Sequence, residues 1–171
     1  DTGMGIERIA SVVQSCPSNY QTDLLGGLVD HLKQNAPGPK DQDNENEVSA
    51  RVIADHIRAV VFLIADGVVP SNEGRGYVMR RIIRRAARHG RELGYQPGFF
   101  TNLVDVFVPM MREAYPEIEE ASDYIKILLR QEENRFSATL NHGMKVMEEL
   151  LQIHQESGAE RVDGEAVFKL Y

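Results

Sequence analysis

Apolar residues recur at helical spacing along most of the chain, and no stretch of useful length alternates with the period of two that marks a strand. The first group is Ile6, Ile9, Val12 and Val13. It follows a short glycine-bearing opening and reads as the end of a strand turning into a helix that stops before Pro17. Ser18 or Asn19 can cap a second helix with Leu24, Leu25, Leu28 and Leu32 on one side, weakened by Gly26 and Gly27. Asn35 to Glu47 is almost wholly polar and contains Pro37, Gly38 and Pro39, so it is predicted to be a loop. A strong helix follows from about Val48 to Ala65, with Ile53, Ile57, Val60, Val61 and Ile64 on one face and Gly67 placed to stop it.

A turn over 68–76 leads into a helix from Tyr77 to about Arg91. Phe99 to Tyr115 is predicted helical with an interruption at Pro109. Pro116 opens a long helical tract, roughly Glu117 to Gln155, striped by Ile118, Ala121, Ile125, Leu128, Phe136, Leu140, Met147 and Leu151. Met144 and Met147 are expected to fill the core. Gly158 ends the tract and a short element covers 162–171. The expected fold is all-α, a helical bundle with one long helical tract, preceded by a short strand–turn–helix.

Composition narrows the function. The chain has 171 residues, 42% of them apolar and 26% charged, with a net charge of -7. That balance excludes a uniformly basic nucleic-acid binder but permits a local basic patch. Cys16 is the one cysteine, so an internal disulfide and a cysteine-rich zinc site are ruled out and a reducing, cytoplasmic compartment is expected. The longest apolar run is Ala59–Ala65, far short of the ~20 residues that span a bilayer. The chain opens without methionine and closes at Tyr171 in mid-pattern, so it is expected to be a piece of something larger.

One helix stands apart. Arg75 to Glu92 holds seven arginines and one carboxylate. On a wheel of ~100° per residue, Val78, Met79, Ile82, Ile83, Ala86 and Ala87 fall on one half. Arg80, Arg81, Arg84, Arg85, Arg88 and Arg91 fall on the other, with Tyr77 among them. Two readings stand side by side. The arginines serve a polyanion, for which their bidentate geometry suits phosphate, or they pair with acidic stretches such as Glu117–Glu120 and Glu132–Glu133. At the chain's start, Gly3-x-Gly5 ahead of a helix lets backbone approach a ligand, and Arg8 could add charge for an anion. A tight turn with Glu7 and Arg8 merely exposed is the plainer alternative. His56 beside Asp55 is expected to make a structural hydrogen bond. His31, His89, His142 and His154 lack a ligand spacing, and no metal site is expected.

Taken together, these stretches resemble the alanyl-tRNA synthetases of bacterial type. Asp1-Thr2-Gly3-Met4-Gly5-Ile6-Glu7-Arg8 is similar to that family's third class II motif. Ser18-Asn19-Tyr20, Arg51-Val52-Ile53-Ala54-Asp55-His56-Ile57-Arg58, Phe62-Leu63-Ile64-Ala65-Asp66-Gly67, Pro70-Ser71-Asn72-Glu73, Arg75-Gly76-Tyr77-Val78 and Arg80-Arg81-Ile82-Ile83-Arg84-Arg85 follow in family order, and Phe168-Lys169-Leu170-Tyr171 fits the start of a further block.

The resemblance implies a cytoplasmic ligase that activates alanine with ATP and Mg²⁺ and esterifies its tRNA. Residues 1–16 would be the end of the catalytic domain and 17–171 the helical tRNA-recognition domain. The catalytic sheet would lie upstream, and the editing domain with the family's zinc downstream. By the same resemblance, Asp1 and Gly3 would bind alanine, Asp1 through the ammonium, and Gly5 and Arg8 would bind ATP. Asn72, Arg75, Tyr77, Arg80, Arg81, Arg84, Arg85 and Arg88 would bind tRNA, with Asn72 facing a wobble G·U pair of the acceptor stem. No residue of this stretch alone would carry catalysis. The rival readings are a stand-alone helical nucleic-acid-binding module without catalysis, and a helical scaffold whose arginines are internally paired.

Overall fold

The computed structural model describes residues 3–38, 43–157, 162 and 164–168. The order is α1 (Ile6–Val13), a 3₁₀ turn (Asn19–Gln21), α2 (Gly26–Gln34), α3 (Asp43–Ala65), α4 (Gly74–Glu92), α5 (Phe99–Met111), α6 (Pro116–Glu120), α7 (Ser122–Ser157) and α8 (Gly164–Phe168). The architecture is all-α, with no strand among the described residues. The strand expected ahead of α1 is therefore not seen at residues 3–5. A strand needs a neighbour to satisfy its backbone, and none is present among these residues. No helix of the described residues is long and apolar enough to cross a membrane.

Several boundaries differ from expectation for identifiable reasons. Ser18 does cap, accepting from the Tyr20 amide at 3.3 Å, but it caps the 3₁₀ turn and α2 begins only at Gly26. The polar stretch before Val48 is helical from Asp43 onward. Its acidic residues suit a helix start, and Glu47 pairs with Arg51 one turn on and with Lys33 of α2 at 3.6 Å. Pro109 lies inside α5 without interrupting it. The long tract is broken once, where Ala121 closes α6 before α7 begins. Gly67 stops α3 as expected, in the left-handed region at φ 82°. Gly158 lies outside the described residues.

The chain divides into two compact units, Asp1–Glu133 and Asn134–Tyr171. In the first, Leu28 and Leu32 of α2, Ile53, Ile57, Val61 and Ile64 of α3, Met79 and Ile83 of α4, Phe100 and Phe107 of α5, Ile118 of α6 and Ile125 and Leu129 of α7 form one core. Phe99 stacks on Tyr95 and on Phe100, with ring centroids 5.0 and 4.4 Å apart. The Tyr95 hydroxyl donates to the Leu32 carbonyl at 2.9 Å, tying the loop after α4 to α2. In the second unit Phe136 and Leu140 are half-buried, whereas Met144, Met147 and Leu151 are exposed. The expectation that Met144 and Met147 fill a core is corrected: no described residue of that unit covers them, and both are exposed.

Glu133 is the unusual member of this fold. It is 3% exposed beside the start of α5. Burial pushes its carboxyl up to about 7. The amides of Gly98, Phe99 and Phe100 face it and pull in the opposite direction, without well-formed hydrogen bonds.

Two predictions follow from this packing. A methyl group at Gly90 of α4 would run into the Phe99 ring. Gly90→Ala should therefore lose roughly 1–2 kcal/mol in urea unfolding despite its better helix propensity. Phe99→Leu should cost less in that background than in the wild type. For Glu133 the folded pKa lies above the ordinary 4.5. Its favourable contribution is then complete below about pH 4.5 and lost as pH rises through 7. Glu133→Gln should be more stable than wild type by roughly 2–3 kcal/mol at pH 8, with the gap closing by pH 4.5.

Candidate nucleic-acid interface

The arginine helix, α4, buries a narrow stripe of Gly76, Met79, Ile83, Ala86 and Gly90. Three of these five are glycine or alanine, so the buried stripe is slender and leaves a wide outer surface. A Cβ at Gly76 would collide with the Val69 carbonyl and the Ser71 hydroxyl. That glycine is what lets the preceding turn fold back onto the start of α4. The outer surface presents Arg75, Tyr77, Val78, Arg81, Arg85 and Arg88 to solvent. Val78 corrects the wheel, which put it with the apolar half: the buried stripe is narrower than half the helix. The Arg81 guanidinium lies over the Tyr77 ring, 5.9 Å from its centroid, and Arg88 reaches Glu92 at 3.2 Å in an exposed pair of little energetic weight.

Arg80 and Arg84 behave differently. Both place Nε 3.0 Å from Oε1 of Glu132, which is 1% exposed on α7. Arg84 does so in a well-aligned hydrogen bond, Arg80 as an ion contact. Burying one carboxylate is costly unless it is paired, and two guanidiniums share the task here. The cationic face is thus divided: an exposed row over 81, 85 and 88, and an inner pair held by α7. Internal pairing describes the inner two, and the outer row faces solvent.

Asn72 stands at the edge of this surface. Its side chain does not cap α4, whose N-cap position is Glu73. The turn is closed instead by Ser71, whose hydroxyl donates to the Glu73 carbonyl at 2.8 Å. Asn72 is exposed, and its Oδ1 accepts a hydrogen bond from Nη1 of Arg80.

At the other motif, Gly5 is the N-cap of α1 in extended conformation with no side-chain cap, and Gly3 and Arg8 are exposed. Asp1 lies outside the described residues. Glu7 is not merely exposed. It pairs with Arg58 of α3, whose Nη2 also reaches Asp55 at 3.5 Å. Its own backbone amide first, and then Arg58, hold the Glu7 carboxyl below its usual range. Asp55 is likewise lowered, by its bond to His56 first. His56 Nδ1 lies 3.3 Å from Asp55, the structural contact expected. The Glu7–Arg58 tie joins residues 51 apart in sequence, and spacing offered no signal for it. The apolar residues of α1, by contrast, face outward: Ile6, Ile9, Val12 and Val13 are all exposed.

The family profile described as tRNA synthetases class II (A) matches residues 1–171. The alanine–tRNA ligase of Natranaerobius thermophilus is 43% identical over 171 residues, covering all of this chain and 20% of the relative. Those of Nitrosomonas europaea and Paraburkholderia phytofirmans are 52% and 50% identical over the whole chain, each covering 19% of the relative. The chain therefore spans about a fifth of the length of the relatives it matches. With the profile covering every residue and such identities across the full length, the chain belongs to the class II tRNA synthetases, in the alanyl-tRNA synthetase family.

Proposed function

We propose that this chain is the acceptor-stem recognition part of an enzyme that attaches alanine to its tRNA at the expense of ATP. The observation that carries the reading is the exposed row of Arg81, Arg85 and Arg88 with Tyr77, flanked by an Asn72 that is free of any capping duty. In a net-acidic protein, such a row on one rigid helix suits the phosphates of an RNA helix, while a neighbouring amide can read a base edge. Arg75 extends the row toward the turn. Family membership disfavours a stand-alone binding module. On α4 the ion-network reading is supported by Arg80 and Arg84 around the buried Glu132 and, weakly, by the exposed Arg88–Glu92 pair.

Gly5 and Arg8, at the open first turn of α1, would contact ATP, with Gly3 and Asp1 on the alanine side. ATP would supply the adenylyl group that activates the alanine carboxylate, with pyrophosphate as the leaving group, and Mg²⁺ would neutralise its phosphates. Glu7 is committed to Arg58 and would serve instead to fix the angle of α1. Alanine, ATP and tRNA are accordingly the partners, with the rest of the synthetase chain, in the cytoplasm.

The chemistry of the readout suits Asn72. A-form RNA offers a wide, shallow minor groove. In a wobble G·U pair the guanine amino group is left there as an unpaired donor, and an amide carries both an acceptor and donors. In the full-length enzyme Asn72→Ala should narrow the preference for G·U over G·C acceptor stems by about 1–3 kcal/mol in kcat/KM. A variant that keeps full preference would remove Asn72 from recognition.

The phosphate role has its own measurement. Replacing Arg81, Arg85 and Arg88 together by Gln should weaken all tRNAs alike. It should also flatten the dependence of log K on log salt by about 1 per side chain. An unchanged slope would show that these arginines do not meet phosphate.

A further inference from the structure

Three side chains from distant parts of the sequence form one chain of contacts: Asn72 in the turn, Arg80 on α4 and Glu132 on α7. The Arg80 side chain is 14% exposed and engaged on both sides, with Nη1 on Asn72 Oδ1 and Nε on Glu132. Glu132 is 1% exposed, and its second oxygen has no hydrogen-bond partner. Its charge is therefore balanced by Arg80 and Arg84 rather than by water.

Resting on the reading of Asn72 given above, we infer that Glu132 and Arg80 are specificity-determining positioning residues, which set the orientation of the Asn72 amide for base recognition. The amide of an asparagine is nearly symmetric in shape, but its two ends carry opposite hydrogen-bonding codes. An exposed asparagine turns over freely and presents either code to a groove. A guanidinium is donor-only, so Arg80 accepts just one orientation, with Oδ1 toward itself. The oxygen keeps a second lone pair for a donor in the groove, and the NH₂ is left to meet an acceptor. Arg80 can impose this only if its own planar fork is fixed. A buried carboxylate that cannot exchange its partners for water provides that fixation. The same engagement sets Arg80 apart from the phosphate row, since a desolvated guanidinium held by a hydrogen bond at one end and an ion contact at the other offers little to a third anion. Arg84 shares the carboxylate and holds it in register with α4.

The test uses the full-length enzyme and synthetic acceptor-stem helices with G·U or G·C at the discriminating position. Glu132→Gln keeps the shape and removes the charge. It should cut the G·U over G·C ratio of kcat/KM at least fivefold, leaving alanine-dependent ATP–pyrophosphate exchange unchanged. In an Asn72→Ala background the same substitution should change the ratio no further. Arg80→Lys keeps the charge but lacks the fork. It should narrow the ratio similarly while leaving the salt dependence of tRNA binding as it is, and it decides the matter if Glu132→Gln fails to fold. Full G·U preference in both Glu132→Gln and Arg80→Lys, with the preference lost in Asn72→Ala, would overturn the positioning role and leave the reading of Asn72 standing. A narrowed ratio that Glu132→Gln still produces in the Asn72→Ala background would also overturn it, because the effect would bypass Asn72. If Asn72→Ala itself keeps full preference, the reading and the inference fall together.

Discussion

The first unit depends on how closely α4 can approach α3 while carrying seven arginines. A helix with that charge has few positions left for hydrophobic contact, and the buried stripe is correspondingly narrow and small. Glycine and alanine in that stripe contribute little apolar area themselves. The two glycines admit the turn over 69–71 and the Phe99 ring against the helix, while Met79 and Ile83 reach the core formed by α3 and α5. The contact is then reinforced at its far end by polar links. Ser49 of α3 lies 3.0 Å from His89 and donates to Glu92 at 3.3 Å, and His89 meets Glu92 at 2.9 Å. Apolar packing sets the distance between the two helices, and these bonds set their register. The outer surface is left wide, and the arginines occupy it.

Much of this was legible in the sequence. Helical spacing gave the buried face of α3 and, on α4, Met79, Ile83 and Ala86, because an apolar stripe buried on one side leaves a regular trace. The cationic outer row was visible for the same reason. What could not be read was the partition within that row, since a wheel assigns angles and says nothing of what lies opposite. Arg80 and Arg84 sit beside Arg81 and Arg85 in sequence, yet only the first of each pair turns toward α7. A faint signal did exist. Ile125, Leu129 and Glu132 stand at i, i+4 and i+7 on one helix, so the glutamate occupies a position that spacing marks as inward. An acid in such a position requires a cationic partner, and Glu132 stood among the acids available to the arginines of α4.

The misplaced elements have a common cause. The helix start at Asp43 depends on Glu47 finding Lys33 of α2 and Arg51 within its own helix, and the first of these is a tertiary fact. The continuity of α5 through Pro109 reflects packing of Phe107 and Val108 into the core, which outweighs the local cost of the proline. The outward-facing apolar residues of α1 and of the second unit break the rule that an amphipathic stripe marks a core. In α1 the inward ties are polar: Glu7 to Arg58, and Gln14 to Asp23 with 2.6 Å between side chains. Periodicity identified the helix correctly and said nothing about which of its faces these residues would cover.

The arrangement around Glu132 also bears on why a buried charge is tolerated at all. Replacing an ion triad by well-packed apolar residues is often neutral or stabilising, so stability alone is a poor reason to keep one. An apolar residue at 132 would fill the space between α4 and α7 at lower desolvation cost. It would take from Arg80 and Arg84 the buried anion that both meet on the inner edge of the cationic face. The orientation of both guanidiniums would then be less constrained, and the division between the exposed row and the inner pair would weaken. Directional fixation is what an apolar residue cannot supply, because dispersion forces constrain distance and hardly constrain orientation. The carboxylate therefore gives α4 two classes of arginine on adjacent positions of the same helix. That division places an exposed cationic row and an oriented inner pair side by side on one helix.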